Sequence, residues 1–81
     1  MYFVYLLVGE NRTIYVGYAA SIELRFHQHL AGRVYTSRKM GKLRLYYYEV
    51  YESKELAQLR EKNLKKYGSA YQGLLRRIGL K

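Results

Sequence analysis

Apolar positions along this 81-residue chain follow two different periods. From Tyr2 to Val8 almost every residue is aromatic, aliphatic or β-branched, and the polar segment Gly9-Glu10-Asn11-Arg12 breaks the run. Thr13 to Tyr18 repeats that composition. Two such runs with so short a connection read as neighbouring antiparallel strands of a hairpin. With the hairpin turning about Glu10, Tyr5 is expected opposite Tyr15 and Phe3 opposite Gly17. Alternation then puts Tyr5, Tyr15 and Gly17 on one face and Val4, Leu6, Ile14 and Val16 on the other. After Ser21 the period lengthens. Ile22, Phe26 and Leu30 recur every four residues, which predicts a helix capped by Ser21 and ended by Gly32.

Arg33 to Lys42 is polar, basic and without period, and reads as a loop. Leu43 to Tyr51 predicts a third strand, whose Tyr46-Tyr47-Tyr48 run asks for cover on both faces or an exposed aromatic side. Ser53 is placed to cap a second helix, with Glu55 in the first turn where the helix dipole favours a negative charge. Leu56, Leu59, Leu64 and Tyr67 supply its expected apolar stripe, and Gly68 ends it. A last helix over Ala70 to Ile78 is expected to turn Tyr71, Leu74, Leu75 and Ile78 inward. The order β-β-α-β-α-α predicts an α/β (α+β) fold. It would be a small three-stranded antiparallel sheet flanked by helices, in a single domain over residues 1–81.

Composition narrows the function classes. There is no Cys, so neither disulfides nor thiolate metal sites are available. The opening apolar run stops at Gly9. That is too short to cross a bilayer, and it lacks the basic start and small-residue cleavage site of a secretory leader. A soluble cytoplasmic protein is expected. Fifteen Lys and Arg face six Glu and no Asp, a formal charge of +9. Such an excess favours a polyanion, nucleic acid above all, through counterion release and steering. Residues 1–20 are neutral, and the excess lies between Arg25 and Lys42 and again between Arg60 and Lys81. Charge confined in this way looks more like a binding face than like general solubility, although an anionic membrane surface is another possible partner.

A few polar residues are placed to do chemistry. Arg25 and His29 are four apart and share a helix face. Together they could clamp an anion, Arg with its planar fork of donors and His by exchanging a proton near neutral pH. A solvated Arg beside a packed His is an equal reading. His27 and His29 are two apart on a helix and have no Cys to complete a zinc site. Glu61 sits among Arg60, Lys62, Lys65 and Lys66, either in surface ion pairs or as a hard oxygen ligand for Mg²⁺. Without Asp a carboxylate-rich two-metal site is hard to assemble. One carboxylate with a shell of water and phosphate oxygens is easier. Arg33, Arg38, Lys39 and Lys42, with Tyr35, Thr36 and Ser37 beside them, are candidates for phosphate contact or for plain solvation.

The order of these segments is more telling than any one of them. Phe3-Val4-Tyr5, nine residues, then Tyr15-Val16-Gly17 resembles the paired motif that names the GIY-YIG nuclease superfamily, with Phe3 in place of the first Gly. Ile22 to His29 looks like the family helix with its Arg and His four apart. Tyr35-Thr36-Ser37-Arg38 and Leu45-Tyr46-Tyr47-Tyr48-Glu49 are similar to segments of the small single-domain, UPF0213-like members. Ala57 to Lys62 resembles the helix that carries the metal-binding Glu.

The resemblance implies an endonuclease that hydrolyses DNA phosphodiester bonds with one Mg²⁺ or Mn²⁺ ion held by Glu61. Tyr5 would contact or deprotonate the attacking water, and Tyr15 would support it and the phosphate. Arg25 would stabilise the growing charge, and His29 would assist by hydrogen bonding or proton transfer. Gly17 would leave room for close approach, and Arg33, Thr36, Arg38, Lys39 and Lys42 would contact nucleic acid. DNA is favoured over RNA as the partner, no membrane is expected, and the chain would be a monomer or weak homodimer. The family's late Asn has no counterpart: Asn63 is too close to Glu61, and Gln72 is the substitute that remains. A non-catalytic nucleic-acid-binding module of the same fold is the alternative function. A protein-interaction role for the tyrosine-rich strand is a third.

Overall fold

A computed structural model describes residues 1–81. The hairpin forms from β1 (Tyr2–Gly9) and β2 (Ile14–Ala19). Helices α1 (Ile22–Leu30) and α2 (Tyr35–Arg38) lead to β3 (Leu43–Tyr51), and α3 (Lys54–Leu64) and α4 (Ser69–Arg77) follow. The three strands make an antiparallel sheet in the order β2-β1-β3, so the most apolar segment of the chain is its central strand. Ser21 Oγ accepts a hydrogen bond from Leu24 N at 3.2 Å, and Ser53 Oγ one from Leu56 N at 3.2 Å, so both helices begin at the expected caps. No helix is long and apolar enough to cross a membrane.

Each face of the sheet carries its own core. Val4, Leu6 and Val16 pack against Ala57 and Leu64 of α3 and against Tyr71, Leu74 and Leu75 of α4. Tyr5, Leu7 and Ala19 face the other way, towards Met40, Leu43 and the partly buried Ile22 and Phe26 of α1. Helices on both faces explain why β1 carries almost no polar side chain.

The hairpin register differs from the expected one by two residues: Tyr5 pairs with Gly17 and Leu7 with Tyr15. The turn is the cause. Gly9 N–H bonds Thr13 O, Arg12 N–H bonds Gly9 O, both at 2.9 Å, and Asn11 Oδ1 accepts from Thr13 N at 3.1 Å. Arg12 adopts a positive φ of 67° to close this loop, and the centre of the hairpin moves from Glu10 to Asn11. An even slip keeps every side chain on its face, so Tyr5, Tyr15 and Gly17 still lie together.

Three other expectations are corrected. The segment Arg33 to Lys42 is not all loop: its middle winds into α2, anchored by the buried Ser37 and Met40. On α1, Leu30 is exposed and His29 takes the inward position. On α3, Leu56 and Leu59 are more than half exposed while Ala57 and Leu64 are buried, and Tyr67, expected on the same stripe, lies past the helix end and is more than half exposed too. The small side chain of Ala57 lets the helix approach the sheet. The inward turn between Ala57 and Leu64 is given to a polar residue, Arg60, which bonds Glu49 of β3 through Nε at 3.0 Å and Nη2 at 2.9 Å. Tyr47 and Tyr51 also donate to Glu49, each at 2.5 Å.

A bulge resolves the tyrosine run. Pairing jumps from Leu6↔Tyr47 to Leu7↔Leu45, which leaves Tyr46 as the extra residue. Tyr46 donates to Ile78 O at 3.0 Å, and Tyr47 packs on the α3/α4 core, so both reach the same side of the sheet. Tyr48 remains exposed and meets Phe3 edge-on.

Candidate active site

The site is built on the sheet face that α1 covers. Tyr5 leaves the central strand directly across from Gly17, and its ring lies over that glycine. A Cβ on Gly17 would fall 2.2 Å from Tyr5 Cζ and 2.4 Å from its hydroxyl. The glycine's missing side chain therefore accommodates Tyr5. Gly17 is buried, and the room its missing side chain leaves is taken by the Tyr5 ring.

The Tyr5 hydroxyl is 2.8 Å from Nε2 of His29, which α1 delivers at its inward position, 2 % exposed. Tyr15, two residues before Gly17 on the edge strand, holds the imidazole from the side, with ring centroids 4.8 Å apart at 71°. The rings of Tyr5 and Tyr15 are 6.3 Å apart. The other imidazole nitrogen, Nδ1, lies 2.6 Å from Oγ of Ser37 on α2. Ser37 is fully buried, and its hydroxyl donates to Val34 O at 3.3 Å.

Arg25 lies one turn before His29 and faces the two phenols. Its Nη1 donates to Gln28 Oε1 at 2.9 Å, while its Nε is buried without a partner. Burial alone would lower the Arg25 pKa, but interaction with the Tyr5 and Tyr15 phenols outweighs it and raises the value. Burial pushes the Tyr5 phenol up to about 12. Arg25 opposes this, while Tyr15 and Glu61 add to it. Burial and the charge of Arg25 both lower the pKa of His29, so the imidazole is neutral at pH 7.

Glu61 stands on α3, which packs on the opposite face of the sheet, and β2 is an edge strand. Lys65 Nζ sits 3.2 Å from Glu61 Oε2 and 5.9 Å from the centre of the Tyr15 ring. The charge of Glu61 is felt at the Tyr5 phenol. Tyr5, Tyr15, Arg25 and His29 gather on one face of the sheet, and Glu61, as many as 56 positions away in the chain, is linked to them through Lys65 beside the Tyr15 ring.

The donor set also limits which metal would fit. No group of three or more His, Cys, Asp and Glu side chains is arranged to hold an ion. A zinc cage is thus out of place here. Glu61 offers one hard carboxylate, paired with Lys65, whose side chain is 44 % exposed. That fits a single hard cation whose remaining ligands are water and phosphate oxygens.

The basic residues are less concentrated. Arg33, Thr36, Arg38 and Lys39 are all exposed on or beside α2. Arg38 Cζ and Lys39 Nζ lie 5.3 and 4.6 Å from the centre of the exposed Tyr35 ring. Through Ser37 this turn adjoins His29. Lys42 stands apart from them, on a shallow groove with Glu10 and Arg44 at the hairpin end. Gln72 is engaged by Lys81 Nζ rather than by any residue of the cluster. Ser37 and Lys65 were not visible as site residues. A serine in a basic loop carries no signal of burial, and Lys65 is one of several cations on its helix.

Comparison with known proteins agrees with this geometry. A model of the GIY-YIG catalytic domain matches residues 1–74. A UPF0213 protein of Clostridium perfringens is 37 % identical over 68 residues, covering 82 % of this chain and 72 % of its own. One from Streptococcus pyogenes is 36 % identical over 66 residues, covering 79 % and 71 %. The solution NMR structure of a UPF0213 protein from Bacillus halodurans superposes with a TM-score of 0.60 at 26 % identity, over 96 % of this chain and 85 % of that one. The matched region spans Tyr5, Tyr15, Arg25, His29 and Glu61, and the chain belongs to the GIY-YIG family of nuclease domains.

Proposed function

We propose that this protein is an endonuclease that hydrolyses DNA phosphodiester bonds with one divalent ion at Glu61. The observation that carries the reading is the Tyr5–His29 hydrogen bond placed beside an arginine with an unused buried donor. A buried donor without a partner costs about 1–3 kcal/mol. A phosphate oxygen bound at Arg25 Nε would recover that cost, and the guanidinium would then oppose the charge that grows on phosphorus.

The proton path follows from the pKa directions. With the Tyr5 phenol at about 12, forming a free phenolate at pH 7 costs roughly 7 kcal/mol. Tyr5 is therefore a poor stand-alone base. His29 is neutral, and its Nε2 lies within hydrogen-bonding reach of the phenol proton. Tyr5 can take a proton from water as it passes its own to His29, and no phenolate need accumulate. Tyr15 keeps the imidazole in place and leaves its hydroxyl for the phosphate. A magnesium or manganese ion, held by Glu61 together with water and phosphate oxygens, would add Lewis acidity at the phosphate. The cations Arg33, Arg38 and Lys39 flank this site and would track the backbone of the substrate.

Nicking of supercoiled DNA by purified wild type and Glu61→Ala, with Mg²⁺ or Mn²⁺ titrated, tests the proposal. The wild type is expected to nick only with metal, and Glu61→Ala to lose nicking while keeping salt-sensitive binding. Equal nicking by both proteins would mean a contaminating nuclease and end the proposal. The rival reading, a binding module without catalysis, is favoured by one observation. The position best able to replace the family's late Asn, Gln72, is committed to Lys81. That reading predicts salt-sensitive binding with no metal-dependent cutting at all.

A further inference from the structure

We infer that Ser37 is a positioning residue: by accepting the Nδ1 proton of His29, it fixes the imidazole in the tautomer whose Nε2 can receive a proton from Tyr5. This deepens the nuclease reading and rests on it for its catalytic meaning. The hydrogen-bond assignment rests on the distances around His29 and does not depend on that reading.

Tyr5 has one proton to place, and Arg25, the charged group that opposes the rise of its pKa, is donor-only and cannot take it. Tyr5 is 2 % exposed, so its own proton must find an acceptor inside the protein. The partner in place is His29 Nε2, at 2.8 Å. Nε2 must then be bare, which puts the single ring proton of the neutral imidazole on Nδ1. Nδ1 lies 2.6 Å from Ser37 Oγ, which must accept. The Ser37 proton then goes to Val34 O, 3.3 Å away, a carbonyl that also receives Arg38 N–H at 3.0 Å and so uses both lone pairs.

The opposite assignment fails at one end. With the proton on Nε2, the Tyr5 oxygen would be the acceptor, and its own hydrogen would be left without a partner in a buried site. Only one direction satisfies every group from Tyr5 to Val34. Ser37 has no route to the substrate, because it is fully buried behind His29, and it acts only through the imidazole. Two features of the chain make the arrangement possible. The turn α2 places a hydroxyl eight residues after His29, and serine's small side chain fits a site with no exposed surface.

The test has two parts. In ¹⁵N NMR of the wild type at neutral pH, Nδ1 of His29 should show the shift of a protonated ring nitrogen and Nε2 that of a bare one. The reverse pattern overturns the inference. Ser37→Ala should mix the two tautomers and lower kcat roughly 10- to 100-fold, as loss of a group that orients a reactive imidazole does, with KM for DNA unchanged. Ser37→Thr, which keeps the hydroxyl, should restore the single tautomer, although its extra methyl in this closed site lowers Tm. A Ser37→Ala protein with the wild-type tautomer, or with its defect confined to KM, also overturns it. A wild type that cuts no DNA removes the nuclease reading and leaves the tautomer measurement to decide what Ser37 does.

Discussion

Replacing Gly17 by Ala perturbs the site without touching any polar group. Gly17 lies in ordinary strand backbone, so alanine fits the main chain and should stiffen the unfolded state, a gain of about 0.4–1 kcal/mol. The new methyl, however, would sit 2.2 Å from Tyr5 Cζ and 2.7 Å from Cε1, where ordinary contact begins at 3.4 Å. The difference between 2.2 and 3.4 Å is the smallest displacement that relieves the clash. The ring cannot make that shift freely, because it is buried between Tyr15 and His29. A movement of this size would take the 2.8 Å bond to His29 out of range. Overpacking costs about 1–3 kcal/mol, and leaving the phenol and Nε2 unpaired adds a penalty of similar size. The loss outweighs the gain, for a net destabilisation of roughly 2 kcal/mol. For a chain of this length that lowers Tm by about 10 °C. Urea melts and single-turnover nicking by the same preparation would measure both effects, with cleavage expected to fall about 10²- to 10⁴-fold. Gly17→Ala with undiminished stability and an unchanged rate would refute the claim that this glycine exists to seat Tyr5.

Other perturbations follow from the same contacts. His29 has a folded pKa below 6.5, so the unfolded chain takes up a proton first as pH falls. Its contribution to stability is complete above pH 6.5 and is lost on acidification through the lower folded pKa; His29→Gln should flatten that part of the pH–stability curve. Burial alone would raise the Glu49 pKa, but bonds from Arg60, Tyr47 and Tyr51 outweigh it and hold the value below 4.5. The stability this supplies is present above pH 4.5 and fades below it, in a window distinct from that of His29. Arg60→Ala leaves Glu49 without its cation, and should cost roughly 2–3 kcal/mol in denaturant melts. Arg38→Ala or Lys39→Ala should each reduce the slope of log affinity against log salt by about 1 while leaving single-turnover cleavage at saturation close to wild type.

The fold was largely legible because its main signals are periodic. β1 and β3 announce themselves by aromatic and branched residues, and Ser21 and Ser53 by their place before apolar periods. The misreadings arose where a polar side chain took a buried position. Leu56 and Leu59 looked like the inward face of α3, yet the helix turns Ala57 and Leu64 inward and commits Arg60 to Glu49. Hydrophobicity alone ranks leucine above alanine and cannot foresee a half-buried ion pair. His29 displaced Leu30 on α1 for a related reason, since its two nitrogens find partners inside the protein. In the hairpin, the Asn11 side chain and a left-handed Arg12 moved the turn by one residue and the register by two. Residue spacing does not encode such a choice. Family resemblance grouped Tyr5, Tyr15, Arg25, His29 and Glu61, and the contacts among Tyr5, Tyr15 and His29 could not have come from the separate segments. Ser37 escaped notice because burial, not residue type, makes it matter.

The account stands or falls on whether the Tyr5–His29 pair moves a proton for phosphodiester hydrolysis. The most direct measurement is single-turnover cleavage of end-labelled DNA, at fixed Mg²⁺, by wild type, Tyr5→Phe and His29→Gln purified in parallel. Tyr5→Phe keeps the ring over Gly17 and removes only the hydroxyl, so folding and DNA affinity should change little. The account predicts that both variants bind DNA as the wild type does and cut about 10²- to 10⁴-fold more slowly. Wild-type rates from either variant would contradict it.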